Sequence, residues 1–308
     1  MTWSFRGYTI VGFKLKDPRV FMSCVLIVYT IVGQFLLSFD HTWFQILVSL
    51  LVTCVADMLS NFWKKRQIVL PISGVITGLG LGLLIETTAL WPYIVAPLLA
   101  IASKLFVRIK GEHIFNPSNF GLTILVLLFP ATITTVSAQW TGTLTIVGII
   151  FLIGCFSSYR VNRLDLVLSF LGGFCVMALV EETITHNGFA LVYGPLLGAG
   201  LQLFTLSMIT DPKTTPQTRP QRIFFGLAIA VIDGLLRLAN DQYSQFIALF
   251  VVSACFPIYY LVVSSIQERK SRRVQTQSVE ATMALSPSSE KEQASLPVQP
   301  SRMETEIA

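Results

Sequence analysis

Two short polar turns contain the residue types in this sequence that could do chemistry. The first, GEHIFNPSNFGL, covers residues 111–122, and the second, SMITDPKTTPQTRPQR, covers residues 207–222. The first contains His113, and a histidine donates hydrogen bonds and exchanges a proton near neutral pH. The second combines threonine hydroxyls, basic side chains and a carboxylate. Because both turns interrupt strongly apolar sequence, their polar groups are candidates for ligand contacts.

An Asn-Pro dipeptide precedes the apolar run that follows the first turn. Asn116 is a preferred N-cap, and Pro117 suits the first helical position, where its missing N–H is no loss. The pattern predicts a helix that starts here, with Asn119 in its first turn. Such a start leaves backbone N–H groups unpaired and carries partial positive charge, so it can receive an anion or the electron-rich edge of a cofactor. The alternative is a capped helix with an interfacial histidine.

The second turn repeats this pattern. Asp211 stands directly before Pro212, and Thr210 stands directly before the aspartate. We predict a second helix start here, which would let two helix starts converge on one ligand. The alternative is a solvated connecting loop that Asp211 caps.

Membrane helices are the elements that must position these turns. Of the 308 residues, 53% are hydrophobic and 13% are charged, and the mean hydropathy is +0.67. A bilayer core about 30 Å thick requires apolar runs of roughly 20 residues. The sequence therefore predicts an all-α integral membrane protein with about ten transmembrane helices. Their approximate ranges are 20–39, 43–60, 69–85, 91–107, 119–137, 142–158, 164–181, 189–209, 220–237 and 243–265.

The Lys and Arg residues are concentrated in alternate loops and at both chain ends. Because positive charge marks the cytoplasmic side, we predict cytoplasmic termini in a bacterial cytoplasmic (inner) membrane, with both polar turns on the cytoplasmic face. Residues 1–19 form a cytoplasmic segment without a cleavable signal peptide. Residues 266–308 are rich in Ser, Gln, Glu and Pro, so we predict a disordered cytoplasmic tail. Its basic start either contacts membrane lipid or is only a stop-transfer flank.

The membrane domain, residues 20–265, divides into halves at about 20–137 and 142–265. Five helices in each half give the halves opposite orientations, which predicts two inverted repeats. The third helix of each half is glycine-rich: PISGVITGLGLGLL at 71–84 and VYGPLLGAGLQLFTL at 192–206. Such glycines either let helices pack closely or mark a helix that is interrupted at a midplane site. Both interpretations stay open.

Few ionisable residues lie within the predicted spans. We predict structural pairs between Asp57 and Lys104 and between Asp233 and Arg237, which are four residues apart. The five cysteines form no CxxC pair and indicate no metal site. The sequence has no motif of soluble hydrolases or nucleotide-binding proteins, and we expect no nucleic-acid partner.

The stretches GEHIFNPSNFG, FPATITTVSAQW and MITDPKTTP resemble NqrB and RnfD, membrane subunits of bacterial sodium-pumping and Rnf-type electron-transport complexes. The resemblance covers about residues 15–265 and extends to short RnfD-like proteins from enediyne biosynthesis clusters. It implies a ten-helix, two-repeat fold and other electron-transport subunits as partners. With His113 added from its chemistry, the expected cofactor-binding residues are His113, Asn116, Pro117, Asn119, Thr210, Asp211 and Pro212, and none is assigned a catalytic role.

Relatives of the electron-transport type hold FMN through a phosphoester bond to the last Thr of an [ST]GAT signature. The corresponding segment here is SAQWTGTLT, residues 137–145, which contains Thr143 but no [ST]GAT. We therefore expect no covalent FMN. The resemblance implies instead a noncovalent flavin, FMN or riboflavin, or a quinone. Two other functions stay open: a small-molecule or ion transporter built on the inverted repeat, and a non-catalytic scaffold subunit of a membrane or biosynthetic complex.

Overall fold

The computed structural model describes residues 2–5, 8–12, 17–36, 42–109, 111–135 and 144–284, and it is mostly helical. It divides into two compact units, Met1–Pro257 and Ile258–Ala308. The helices are α1 (Pro18–Leu36), α2 (Trp43–Lys65), α3 (Ile72–Leu84), α4 (Pro92–Phe106), α5 (Pro117–Leu128), α6 (Leu144–Arg160), α7 (Leu164–Thr185), α8 (Phe189–Tyr193), α9 (Ala199–Leu203), α10 (Arg219–Leu238) and α11 (Ser244–Ala284). Every predicted apolar run coincides with one or more helices.

Short strands modify the predicted all-α fold. In one sheet, β1 (Thr2–Phe5) pairs antiparallel with β2 (Tyr8–Val11), which pairs parallel with β3 (Gln67–Val69). Two antiparallel pairs join β4 (Ile85–Glu86) to β7 (Thr134–Thr135) and β5 (Arg108–Ile109) to β6 (Glu112–His113). These strands were not predicted, because runs of two to four residues are too short to show the alternation of apolar and polar residues that marks a strand.

Apolar helices support a multi-pass membrane protein. Among the described residues, three helical stretches are long and apolar enough to cross a membrane, and four if the bent pair Phe189–Leu197 and Gly200–Met208 counts as one. By contrast, α3 has 13 residues and α5 has 12. At about 1.5 Å per residue these helices are roughly 20 Å long, shorter than a bilayer core of about 30 Å. Ten full spans and the inverted repeat therefore stay predictions.

The first glycine-rich segment is a continuous helix that packs closely on its neighbour. In α3, Gly74, Gly78 and Gly82 recur every four residues and face α2. A methyl group on Gly74 would lie 3.0 Å from the Thr53 carbonyl oxygen, and one on Gly82 would lie 3.3 Å from the Ile46 Cα. Small residues thus let the two backbones approach, which is the close-packing interpretation of this glycine pattern.

The second glycine-rich segment is interrupted instead. After α8, residues Gly194–Leu197 form a 3-10 turn, and Gly198 is extended with φ −79° and ψ 144°. Then α9 continues into a π-helical stretch, Phe204–Met208. The two halves of this segment are bent by 51°. The corresponding helices of the two predicted repeats therefore differ, one continuous and one broken.

Aromatic rings fill the interior beside the broken segment. The Phe204 ring packs edge-on against Phe170 at 5.4 Å and against Phe246 at 5.6 Å between centroids. All three side chains are fully buried. This cluster fixes the broken segment against α7 and α11, since each buried aromatic contributes a large apolar area and a specific edge-to-face contact.

The chain after residue 265 differs from the predicted disordered tail. Helix α11 continues to Ala284, so residues 266–284 are helical, and residues 285–308 lie outside the described part of the chain. Gln, Glu, Arg, Lys and Ala are frequent in this extension, and all of them favour helix. The polar composition of residues 266–284 predicts disorder, but their residue types also favour helix.

Gly121 provides a test of the close packing. A methyl group there would collide with the Ala96 carbonyl oxygen of α4, whereas one on the exposed Gly172 of α7 would meet nothing within 4 Å. We expect Gly121→Ala to destabilise the protein by about 1–3 kcal/mol through overpacking. Gly172→Ala is expected to be neutral or stabilising by up to about 1 kcal/mol, because alanine has the higher helix propensity. Thermal unfolding in detergent measures both, and equal melting temperatures for the two variants would contradict the packing.

Candidate functional site

A cavity of about 280 Å³ opens where the two polar turns meet, and we call it the two-turn cavity. Its wall combines the start of α1, the first half of α3, the turn into α5 and residues 207–213. Met22, Ile76 and Pro117 contribute apolar surface, and Ser73 and Thr77 contribute hydroxyls. An enclosed, largely apolar space with a few convergent polar groups is the usual form of a small-molecule site.

Six of the seven predicted site residues line this cavity: His113, Asn116, Pro117, Thr210, Asp211 and Pro212. The two turns are therefore neighbours in space, as the sequence analysis predicted. Asn119 lies deeper, is 1% exposed, and donates from Nδ2 to the Phe246 carbonyl oxygen at 3.1 Å. Whether these residues bind a cofactor stays a prediction, because geometry alone brings them together without assigning a ligand.

Asn116 performs the predicted capping and also joins the two turns. Its Oδ1 accepts a hydrogen bond from the Asn119 backbone N–H at 3.1 Å, which caps α5. Its Nδ2 donates to the Met208 carbonyl oxygen at 3.1 Å, at the end of the broken segment. Both polar ends of this side chain are thus satisfied inside the protein.

The second turn does not start a helix at Pro212, so that prediction is wrong, and the alternative of a connecting loop capped by Asp211 is confirmed. Helix α10 begins at Arg219, after Thr218. Asp211 instead caps a turn: its Oδ1 accepts from the Lys213 N–H at 3.1 Å and its carbonyl oxygen accepts from the Thr215 hydroxyl at 2.8 Å. The physical reason is Pro216, which would fall in the interior of a helix started at Pro212, where it lacks an N–H and clashes with the preceding turn.

Two buried arginines hold the second turn in place, and the sequence analysis missed this role. Arg163 is 4% exposed and donates from Nε to the Thr215 hydroxyl at 2.8 Å. Arg222 forms a bidentate ion pair with Asp165, with contacts of 2.6 to 2.9 Å. In the sequence both arginines count only toward the cytoplasmic positive charge, and nothing in their spacing reveals these long-range partners.

A predicted ion pair lies beside the cavity. Lys104 contacts Asp57 at 2.5 Å and donates to the Ser73 hydroxyl at 3.0 Å. Ser73 in turn lines the cavity. The pair therefore neutralises two charges at the foot of α3 and orients a cavity hydroxyl. The predicted pair of Asp233 and Arg237 is also present, at 3.2 Å.

Acidic and basic side chains balance on the cavity wall. Asp17 and Arg19 form an ion pair at 2.7 Å, which lowers the pKa of the Asp17 carboxyl. Burial and the nearby positive charges of Arg19 and Lys104 lower the pKa of Lys213, and Asp211 opposes this shift. Among the described lining residues, two carboxylates thus face two cations, so the wall has no net charge when His113 is neutral.

His113 is held in the wall by a short hairpin. Strand β6 pairs it with Arg108 of β5, and Gly111 with φ +87° makes the turn between them. The side chain is 7% exposed, and burial lowers its pKa although the charge of Asp211 opposes the shift. A neutral imidazole offers one donor and one acceptor nitrogen. It can therefore donate to a ligand carbonyl and exchange a proton.

These residues fit the ring system of a flavin or the head group of a quinone. The volume of about 280 Å³ is slightly below the roughly 300–1,000 Å³ typical of small-molecule sites, so the cavity suits the ring system better than a whole cofactor. The apolar wall suits a flat ring, and His113 and Lys213 provide donors for ring carbonyls. Covalent attachment of FMN to Thr143 is not tested by the structure, because Thr143 lies outside the described residues.

Comparison with known proteins identifies one family. Residues 135–259 match the model described as the NQR2, RnfD, RnfE family. The matched residues include the broken segment and the second turn. The first turn, residues 111–122, lies N-terminal to the match and is not part of it. No curated protein matches the chain.

The burial of His113 predicts a pH dependence of stability. Its folded pKa lies below the ordinary value of about 6.5, so the unfolded chain takes up a proton first as the pH falls. We expect the melting temperature to fall from about pH 7 to about pH 5 partly for this reason, and His113→Gln to reduce that fall. His186→Asn, a substitution outside the cavity, is the control. A His113→Gln profile parallel to the wild type would contradict the assignment.

Proposed function

We propose that the chain, whose residues 135–259 match the model of the NQR2, RnfD, RnfE family, is a multi-pass subunit of a membrane electron-transport system. In this proposal it binds a flavin or quinone noncovalently in the two-turn cavity and relays electrons between partner proteins. One observation carries the proposal: two turns from different halves of the chain meet at one concave cavity that a buried histidine lines.

The residues of the chain would bind and orient such a ring. A flavin or quinone supplies the redox chemistry when bound. Neutral His113 would hold a ring carbonyl with a hydrogen bond from one ring nitrogen, and its other ring nitrogen could take up a proton. The bond between Asn116 and the Met208 carbonyl oxygen fixes the spacing of the turns, and Arg163 keeps the second turn from moving away. The apolar surface of Met22 and Ile76 excludes water from the ring.

The setting of the site follows the predicted topology. We propose ten helices in two inverted repeats with cytoplasmic termini, which puts the cavity at the cytoplasmic face of a bacterial cytoplasmic membrane. The basic residues of the same face, Arg19 and Lys213 among them, would then meet soluble or membrane partner subunits. A site at the surface, rather than at the membrane midplane, is within reach of an electron donor on that side.

A matched pair of substitutions on α3 tests the cavity. Ile76 lines it, whereas Ile72, one turn earlier, does not. We expect Ile76→Trp to fill the cavity and lower the copurified flavin or quinone, measured by absorbance and mass spectrometry of the extract, by about tenfold or more, the equivalent of about 1.4 kcal/mol. Ile72→Trp is expected to retain the wild-type amount. Acid should release the chromophore, and a denaturing gel should show no flavin fluorescence.

Three results would count against this proposal. Wild-type protein without flavin, quinone or another redox-active group would remove the electron-relay role. Equal retention in both tryptophan variants would place the ligand elsewhere. A fluorescent band on the denaturing gel would show covalent attachment and would return attention to Thr143.

Transport is a second candidate, and the broken segment favours it. A second cavity of about 230 Å³ is lined by Gly200, Leu201 and Arg237. Along the broken segment, between Leu201 of this lining and Ser207 of the two-turn cavity, Gln202 Oε1 and Thr205 Oγ1 are buried without a hydrogen-bond partner among the described residues. Asn119 Oδ1 is buried without one as well. Buried polar atoms normally find a protein or water partner. Water or a small polar solute would satisfy these oxygens and connect the cavities.

Flux measurements distinguish this candidate from electron relay. In proteoliposomes without an electron donor, transport predicts sodium or proton flux above protein-free vesicles, followed with fluorescent indicators. Gln202→Leu is expected to lower that flux by about tenfold, because it removes a polar partner from the segment that joins the cavities. Gln221→Leu, in the first turn of α10, is the control. Flux that equals protein-free vesicles would exclude this candidate.

A further inference from the structure

A groove between α2 and α4 is lined mostly by apolar side chains and has a basic residue at one end. Its volume is about 550 Å³. Leu59, Trp63, Leu98 and Phe106 line its sides, and Arg66 lies at its end. Small side chains form the floor: Ala56, Ser60 and Ala102. We call this feature the α2–α4 groove.

The sides of the groove are strongly exposed. Trp63 is 74% exposed, Phe106 is 73% exposed and Leu59 is 63% exposed. Exposed apolar residues on a membrane helix contact lipid chains in general, so this alone identifies no particular partner. A tryptophan next to the basic end is the arrangement expected at the boundary between acyl chains and head groups.

Positive charge gathers at one end of the groove. Arg66 follows the last turn of α2 in a left-handed conformation, with φ 56°. Lys64 precedes it by two residues and lies within electrostatic range of Arg108 and Lys104. Lys104 is neutralised by Asp57, which leaves Lys64, Arg66 and Arg108 as cations around this end among the side chains that the structure describes. None of the described residues that line the groove is acidic.

We propose that the α2–α4 groove binds an anionic phospholipid, with an acyl chain along the groove and the phosphate beside Arg66 and Lys64. Basic pockets between membrane helices on the cytoplasmic side recognise such head groups. A free phosphate would leave the apolar groove uncovered. A second copy of the chain, related by a twofold axis, would bring the same cations face to face, which is unfavourable. The proposal does not depend on the electron-transport role.

Trp63 provides a local reporter. In full-length protein with Trp3, Trp43, Trp91 and Trp140 replaced by Phe, we expect lipids with brominated acyl chains to quench Trp63 fluorescence. Brominated phosphatidylglycerol should quench Trp63 at a concentration at least about fivefold lower than brominated phosphatidylcholine does. This ratio is the effect of roughly one near-surface charge at about 1 kcal/mol. Lys64→Gln combined with Arg66→Gln should abolish this preference. Arg160→Gln removes one charge at the end of another helix and should preserve it.

A second measurement tests the proposal without the tryptophan variant, in case that variant does not fold. Native mass spectrometry of the wild-type protein should show retained phosphatidylglycerol, and Ala102→Phe, which fills the groove floor, should lower the retained amount about fivefold or more. Equal quenching by both lipids would overturn the proposal. So would a loss of preference in Arg160→Gln as large as in the double variant, or unchanged retention in Ala102→Phe.

Discussion

One asparagine side chain connects the parts of this protein on which the site depends. Asn116 caps α5 with its oxygen and holds the Met208 carbonyl with its nitrogen. Both residues are buried, and a buried backbone group without a hydrogen bond costs about 1–3 kcal/mol. The Met208 carbonyl oxygen accepts this bond and a longer one, at 3.5 Å, from the Asp211 backbone N–H. The bond to Asn116 joins the two turns at the two-turn cavity.

The sequence predicts the positions of the helices better than the residues at which they begin and end. The predicted apolar runs coincide with the described helices, although α3 and α5 are shorter than a bilayer core requires. Asn116 and Pro117 predict the start of α5 because N-capping is a local effect. Asp211 and Pro212 show the same local pattern but form a capped turn, since a later proline forbids the helix. The roles of Arg163 and Arg222 depend on partners about 50 residues away and leave no local signal.

The two glycine-rich segments show how far the repeat predicts structure. Similar glycine density gives a closely packed helix in α3 and a broken one after α8. In α3, Gly74, Gly78 and Gly82 recur every four residues and therefore share one face, which α2 covers. In the second segment, Pro195 and Gly198 fall within one turn, where proline removes a donor and glycine lowers helix propensity. Glycine position, rather than glycine number, separates the two outcomes.

Charge balance narrows the class of ligand for the two-turn cavity. Asp17 and Asp211 offset Arg19 and Lys213 on its wall, and burial favours the neutral form of His113. An anionic ligand would have to leave water for a wall without net positive charge, which is unfavourable. An uncharged ring loses little hydration and gains hydrogen bonds from the wall. Within the proposed function, this balance favours a quinone or riboflavin over FMN, whose phosphate would need a partner outside the cavity.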